Sequence, residues 1–296
     1  MAPLRAPSVP VDRMMSASVE AASQPRLSVA ILTQDEERNI ARVLDSVSWA
    51  DEIVVLDSGS ADDTVAIARE MGAKVVHEPF RGFGLQRRRS VENCTGRWVL
   101  ALDADEAVTP ELRDSILEAV SAGDSPHAGF ECERHTCYLG AWFGSRGWHR
   151  DRIVRLVRRD RVIFDDRIIW ERLSVDGSTG RLSGPLLHWT YRDVSHHMEK
   201  MAHYSRLKAL QLFEAGRRGG PSTAVLHGAG RFMSGYLLKG GFLYGWPGLV
   251  YDLLGAHGTL LSYLKLWEMT EEERREGERR ESNPRPPGPQ PGALTD

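Results

Sequence analysis

The sequence predicts an α/β fold, a Rossmann-like and mainly parallel sheet flanked by helices with a helical C-terminal extension, and three observations carry that reading. Short apolar runs alternate with helix-patterned segments from Leu27 to about Ala122, as strand-helix units around a parallel sheet do. From Gly129 to about Tyr191 the strand-like runs become shorter and less regular. Beyond Asp193 apolar residues recur at helical spacing among basic ones.

In chain order, LSVAIL (Leu27 to Leu32) is an apolar run of strand length, followed by a polar loop and a helix near Asn39 to Val47. EIVVLD (Glu52 to Asp57) is a second strand, and SGSADDT supplies a turn in which Asp62 is placed to cap the next helix. AKVVHE (Ala73 to Glu78) and WVLALD (Trp98 to Asp103) are the third and fourth strands. PELRDSILEAV opens on Pro110 in a first helical turn and repeats its leucines and isoleucine at helical spacing. IVRLV and PLLHWTY then read as strand pieces in a portion that covers the carboxyl ends of the first sheet, where open α/β folds bind ligands. The main domain thus spans residues 27–192, in halves 27–122 and 123–192, and a helical extension spans 193–268. Residues 1–26, rich in Pro, Ala and Ser, and residues 269–296, charged and Pro-rich, read as a disordered leader and tail.

A chain of 296 residues buries a sizeable core, and a formal charge of -3 lacks the basic excess of nucleic-acid binders, so no nucleic acid is expected as partner. Three cysteines, an odd number in a chain too long to need staples, favour a reducing, cytoplasmic compartment. No window offers the roughly 18 uninterrupted apolar residues of a membrane span.

WVLALDADE runs a buried strand into three carboxylates, Asp103, Asp105 and Glu106. In extended backbone Asp103 and Asp105 leave on the same face, and like charges so close repel unless a cation lies between them. Hard oxygen ligands suit Mg2+ or Mn2+, which bind through one or two carboxylates plus substrate phosphates. An acidic loop capping the helix at Pro110 is the competing explanation of the tripeptide, and its position after the fourth strand favours the metal. Cys132, His135 and Cys137 match no common zinc spacing and read as packing and surface residues, and His196 and His197 as capping or solvent contacts.

The succession LSVAILTQDEERNI, EIVVLDSGSADDT, RGFGLQRRR and GRWVLALDADE resembles the nucleotide-sugar-binding half of glycosyltransferase family 2, whose fold is called GT-A. RLSGPLLHWTYRD and GFLYGWPGLV with LLSYLKLWE further resemble the lipopolysaccharide core glycosyltransferases of that family. The resemblance spans roughly Leu27 to Glu268 and rests on the order of the motifs.

What the resemblance implies is a metal-dependent inverting hexosyltransferase, using Mn2+ or Mg2+. It would move a hexose from a nucleotide-sugar donor, a UDP-sugar first, to a lipopolysaccharide-core or other lipid-linked glycan acceptor. A polyprenyl-phosphate sugar transferase and a non-catalytic nucleotide-sugar-binding protein are the alternatives. Departures from the family pattern at Asp35, Arg88 and Trp170 favour the non-catalytic reading, and the intact Asp103 and Asp105 oppose it.

The family's loop beside the nucleotide falls on Thr33, Gln34, Asp35 and Glu36, with Asp35 where asparagine is more usual. The nucleoside-recognising acid falls on Asp57, followed by Ser58 and Gly59, where the backbone can approach closely. Gln86, Arg87 and Arg88 match a triplet beside the diphosphate, where added positive charge suits the ligand. The metal ligands fall on Asp103 and Asp105, with Asp103 also on the nucleotide-sugar, and His188 is the candidate third ligand. Glu171 stands where the family places its base, preceded by Trp170 instead of histidine, with Asp151, Asp165 and Asp166 as competitors.

In the helical end, Arg231 and Lys239 interleave with Phe232, Tyr236, Phe242, Tyr244 and Trp246. Such a helix could lie in a membrane interface, on the inner face of the cytoplasmic membrane, where a lipid-linked acceptor would make contact useful. Packing on the main domain is the alternative, because Asp252, His257 and Lys265 break the apolar face.

Overall fold

Four apolar runs form the parallel half of a mixed sheet: β1 (Leu27–Thr33), β2 (Glu52–Asp57), β3 (Lys74–His77) and β4 (Trp98–Asp103), in the order β3-β2-β1-β4. The computed structural model describes residues 26–122, 125–144, 151–164 and 172–282. The connections are α1 (Ile40–Ser46), α2 (Thr64–Glu70) and α3 (Phe83–Glu92), the last formed by the segment RGFGLQRRR and its continuation.

β1, β2 and β4 are largely apolar because both faces are covered, whereas the edge strand β3 begins and ends on exposed Lys74 and His77. Val29 and Ile31 of β1 and Leu100 and Leu102 of β4 pack with Ile40, Val43 and Leu44 of α1. Ala30, Val54 and Val99 point the other way, against Val91 of α3 and Cys94 just beyond it. Asp62 accepts the Thr64 N–H at 3.1 Å at the start of α2, although the residue immediately before the helix is Asp63.

Beyond β4 come β5 (Glu106–Val108), α4 (Pro110–Ser121), β6 (His127–Tyr138), β7 (Ala141–Phe143), β8 (Arg152–Arg158), β9 (Val162–Ile163), β10 (Ser174–Val175) and β11 (Ser178–His188). Thr109 caps α4, accepting the Leu112 N–H at 3.3 Å. Leu112 and Ile116 of this helix join the core that holds α1. The sheet continues from β4 through β8, β6 and β11 to β5, with β7 added to β6. β8 pairs antiparallel with both β4 and β6, β11 pairs parallel with β6, and β5 pairs antiparallel with β11. The parallel half is as the sequence predicts; the second half is more antiparallel.

Cys132 and Cys137 are five apart on β6 and so face opposite sides of it. Burial, the largest influence, pushes the Cys132 thiol up to about 12, which suits a packed side chain.

The chain divides between Arg192 and Asp193 into two compact units. The second contains α5 (Val194–Glu214), α6 (Pro221–Phe232), a π turn (Met233–Leu238), a 3-10 turn (Gly241–Tyr244) and α7 (Gly245–Ser282), with α7 packed on α5 and α6. Asp193 caps α5 by accepting the His196 N–H at 2.8 Å. His197, expected at the surface, is buried against Tyr251. Burial, helped by His196, lowers its pKa to about 4 and leaves the imidazole neutral near pH 7.

The tail expected to be disordered from residue 269 is helical as far as Ser282. Arg274 pairs with Glu271 at 2.8 Å and with Glu278, and Arg218 pairs with Glu273 at 2.8 Å. Glu and Arg at these spacings favour a helix as readily as a solvated coil. Among the described residues, no helix is long and apolar enough to cross a membrane.

Candidate active site

Strand register brings the polar ends of the parallel strands together. Thr33 lies opposite Asp57, and Leu32 opposite Asp103, so Thr33, Asp57 and Asp103 line the carboxyl edge of three adjacent strands. That edge is where this class of sheet binds ligands.

The loops at the edge are tied by their own carboxylates. Asp57 is buried and accepts hydrogen bonds from the Gly59 N–H at 3.1 Å, the Ser60 N–H at 3.1 Å and the Ser60 hydroxyl at 2.6 Å. His77 Nδ1 stands 3.2 Å away. Burial opposes ionisation of Asp57, but the Ser60 and His77 contacts and the loop N–H groups outweigh it and lower the carboxyl pKa. Asp35 adopts φ 55°, a left-handed conformation that Asp and Asn tolerate best, and accepts the Ala61 N–H at 2.7 Å. An asparagine oxygen could make the same bond, which accounts for the departure from the family pattern. Glu36 accepts from the Asn39 amide at 2.6 Å, and its N–H donates to the Thr64 hydroxyl at 2.8 Å. Asp35 and Glu36 therefore fix the joint between β1, α1 and the loop after β2.

From α3, the Gln86 amide donates to the Ser58 hydroxyl and to the Glu78 carbonyl, both at 2.8 Å. Among the described residues, Gln86 Oε1 and Thr33 Oγ1 are buried with no hydrogen-bond partner, an amide acceptor and a hydroxyl at the same edge. Arg87 is fully buried, donating to the Leu102 carbonyl at 3.0 Å and to Asp103 Oδ1 at 2.5 Å. Arg88 turns away from this pairing and lies 5.2 Å above the Phe164 ring.

The carboxylates at the end of β4 have different partners. Asp103 is held by Arg87 on one oxygen and by Arg155 on the other, the latter at 2.7 Å. Burial opposes its ionisation, but Arg155 and Arg87 overcome this and hold the carboxyl well below the usual carboxylate range. Glu106 opens β5 and is 1% exposed. It accepts from Arg155 at 2.5 Å and from the Asp103 N–H at 3.1 Å, with Arg134 at 3.6 Å. Arg134 in turn pairs with Asp151 at 2.8 Å. The β6–β8 register passes from Phe130 and Leu156 to Glu131 and Val154, leaving Arg155 as the extra residue of a bulge. Bulges re-aim side chains beside functional sites, and this one sends the guanidinium to both carboxylates.

Asp105 is placed otherwise. Its Oδ2 lies 3.5 Å from His188 Nε2, with both side chains nearly buried. Pairing of β11 with β6 sets His188 opposite Thr136, whose hydroxyl lies 3.1 Å from His188 Nδ1. An imidazole with one nitrogen fixed by such a partner presents the other in a set direction, as metal-ligating histidines do. One carboxylate and one imidazole suit Mn2+ if phosphates and water complete the shell. Among the described residues, no group of three or more His, Cys, Asp or Glu forms a closed cage. Asp103, expected to share the cation with Asp105, has both oxygens engaged by arginines.

Of the residues that sequence singles out, the edge gathers Thr33, Asp57, Ser58, Gly59, Gln86, Arg87 and Asp103, with Asp105 and His188 as a pair and Asp35 and Glu36 behind the loops. Glu171, Trp170, Asp165 and Asp166 lie outside the described residues. Asp151, a competing base, is committed to Arg134. Sequence reasoning missed Arg134, Arg155 and the function of Glu106, although the lone arginine in the buried run IVRLV is a signal that a carboxylate faces it. It also missed Trp142 and Trp189, whose rings meet edge to face at 5.3 Å, with the Trp189 backbone N–H donating to the Asp105 carbonyl at 2.9 Å.

Residues 28–166 match the family model described as Glycosyl transferase family 2. An uncharacterized glycosyltransferase of Rickettsia typhi is 27% identical over 84% of this chain and 89% of its own length. The lipopolysaccharide core biosynthesis glycosyltransferase LpsC of Rhizobium meliloti is 27% identical over 82% of this chain and 92% of its own. Among solved structures, glucosyl-3-phosphoglycerate synthase of Mycobacterium tuberculosis, crystallised with Mn2+, uridine diphosphate and glucosyl-3-phosphoglycerate, is 21% identical over 72% of this chain and 87% of that one, with a TM-score of 0.42. Residues 28–166 therefore form a glycosyltransferase family 2 domain, and the chain that carries it is a glycosyltransferase enzyme.

Proposed function

We propose that this enzyme moves a hexose, with inversion, from a nucleotide-sugar to a lipopolysaccharide-core or other lipid-linked glycan, and that a divalent cation assists. The acceptor class is supported by the likeness to LpsC over most of both chains. The observation that carries the donor reading is the carboxyl edge itself: a buried amide acceptor and a buried hydroxyl with no partner among the described residues, beside a tied serine-glycine loop and next to the Asp105–His188 pair. UDP-sugars are the first donors to test.

In this reading Thr33, Gln86 and the Ser58–Ser60 loop held by Asp57 receive the nucleoside. Arg87 and Arg155 keep Asp103 ionised and fixed beside the donor. Asp105 and His188 would hold the Mn2+ or Mg2+, which when bound would supply positive charge to the leaving diphosphate. The acceptor oxygen bonds to the anomeric carbon from the face opposite the diphosphate, and the bond from that carbon to the diphosphate oxygen breaks with its electron pair. The acceptor proton passes to a carboxylate, a role given to Glu171 on the sequence pattern.

The test is release of nucleoside diphosphate from UDP-, GDP- and ADP-sugars with and without Mn2+, using Asp105→Ala as control. Mn2+-dependent release from one donor class, lost in the variant, is expected. Equal release by the variant, or release indifferent to Mn2+, contradicts the proposal.

A further inference from the structure

The chain between α6 and α7 carries several exposed large apolar side chains in one short stretch. Leu237, Leu238, Phe242, Leu243 and Trp246 are all exposed, Leu238 at 70% and Trp246 at 78%. Single exposed apolar side chains need no explanation, but a cluster from one short stretch marks an interaction site. The stretch comprises the end of the π turn, the 3-10 turn and the first turn of α7.

The tip is ordered from behind. Asp252 is buried and paired with Arg231 at 3.0 Å. Gly235 and Gly241 lie against the Asp252 carboxylate, and Gly248 against the Gly241 carbonyl, so closely that a Cβ at any of them would collide. Phe232 stacks on Tyr236 at 5.2 Å, and Tyr236 meets Phe242 at 6.4 Å. Its apolar front is thus presented by a shaped support.

Charge narrows the partner. No Asp or Glu occurs between Glu214 and Asp252; of the cations in that stretch Arg218 pairs with Glu273 and Arg231 with Asp252, while Arg217 and Lys239 are exposed. Lys239 is exposed within the tip itself. An apolar apex with tryptophan, tyrosine and one lysine, in an acid-free stretch, matches the layered chemistry of an anionic bilayer surface.

We propose that residues 237–246 are a wedge that enters the interface of an anionic membrane. Leu237, Leu238, Phe242 and Leu243 enter the acyl boundary, Trp246 and Tyr244 lie at headgroup level, and Lys239 meets lipid phosphate. The wedge deepens the lipid-linked-acceptor reading and rests on it for its purpose, but it can fail or hold independently of glycosyl transfer.

The experiment is flotation of the full chain with vesicles of phosphatidylglycerol and phosphatidylethanolamine, against phosphatidylcholine vesicles, together with donor hydrolysis and sedimentation velocity. The wild type is expected to float with the anionic vesicles. The double variant Leu238→Glu, Trp246→Glu should lower the bound fraction about tenfold or more, because two apolar anchors leave the interface. Lys239→Glu should reduce binding to anionic vesicles and weaken its salt dependence. Leu238 and Trp246 are exposed, so the double variant should keep the wild-type circular dichroism, Tm and donor hydrolysis; Lys239 also acts on the buried Asp252 carboxyl, so the flotation of Lys239→Glu is compared at a temperature where its circular dichroism matches wild type. Equal flotation of wild type and double variant, or no flotation of the wild type, overturns the wedge. So does a wild-type dimer that the double variant converts to monomer without any vesicle binding, which assigns the tip to a second copy of the chain. Lost hydrolysis in the wild type would count against the proposed function alone.

Discussion

Arg155 reaches Asp103 at 2.7 Å from the extra position of a bulge in β8, and the same guanidinium nitrogen contacts Glu106. The crowded carboxylates after β4 are therefore compensated mainly by the protein's own cations. Arg87 and Arg155 hold Asp103, and Arg155 and Arg134 hold Glu106, which leaves Asp105 alone of the three turned to a histidine with an anchored ring. Asp103 and Glu106 are thus tied into the fold by arginines, while Asp105 faces His188.

Arg155→Met should destabilise the fold by about 3 kcal/mol, because it leaves the buried Glu106 carboxylate with the Asp103 N–H and the more distant Arg134 but without its nearest cation. The urea midpoint should fall at an unchanged slope against denaturant. A loss within a few tenths of a kcal/mol would mean that Arg134 suffices to hold Glu106.

Acid should weaken the fold through Asp103 and Asp57. Both carboxyls titrate in the folded chain below their unfolded value of about 3.9. As pH falls the unfolded state takes up these protons first, so the stabilisation is full above about pH 5 and is lost as pH drops through the folded values. Urea midpoints measured downward from about pH 5 should decline less steeply for Asp103→Asn than for wild type. Parallel curves would contradict the assignment.

Much of the fold is legible in the sequence because β1, β2 and β4 are covered on both faces and read as unbroken apolar runs. The half built from β5 to β11 is less so. Its strands pair across long separations, as His188 does with Thr136, its ion pairs do the same, as Arg155 does with Asp103, and periodicity does not reveal partners. Glu106 reads as one more loop carboxylate, yet β5 buries it, because strand pairing to β11 and not local propensity sets its environment. The helix from 269 to Ser282 is missed for another reason: Glu and Arg runs are equally at home in coil until ion pairs such as Arg218 with Glu273 fix them.

Thr136→Val should loosen His188 without removing it. Loss of a partner behind a metal-binding imidazole weakens affinity about 10- to 100-fold, so the Mn2+ concentration for half-maximal donor hydrolysis should rise by that factor while the donor KM at saturating Mn2+ changes little. An unchanged Mn2+ requirement would place His188 outside the cation's shell.

Gly248→Ala should destabilise the second unit by about 2 kcal/mol or more, since the new methyl meets the Gly241 carbonyl and well-packed sites tolerate little added volume. Thermal unfolding followed by circular dichroism measures it. A neutral Tm would show that the turns before α7 give way easily.

The most direct test of the divided roles of Asp103 and Asp105 is Mn2+ binding, by calorimetry in the presence of UDP, to wild type, Asp105→Asn and Asp103→Asn. Wild type should bind, Asp105→Asn should lose binding about 100-fold or more with the direct ligand, and Asp103→Asn should retain it while losing stability. Loss of Mn2+ in Asp103→Asn with retention in Asp105→Asn would contradict the account.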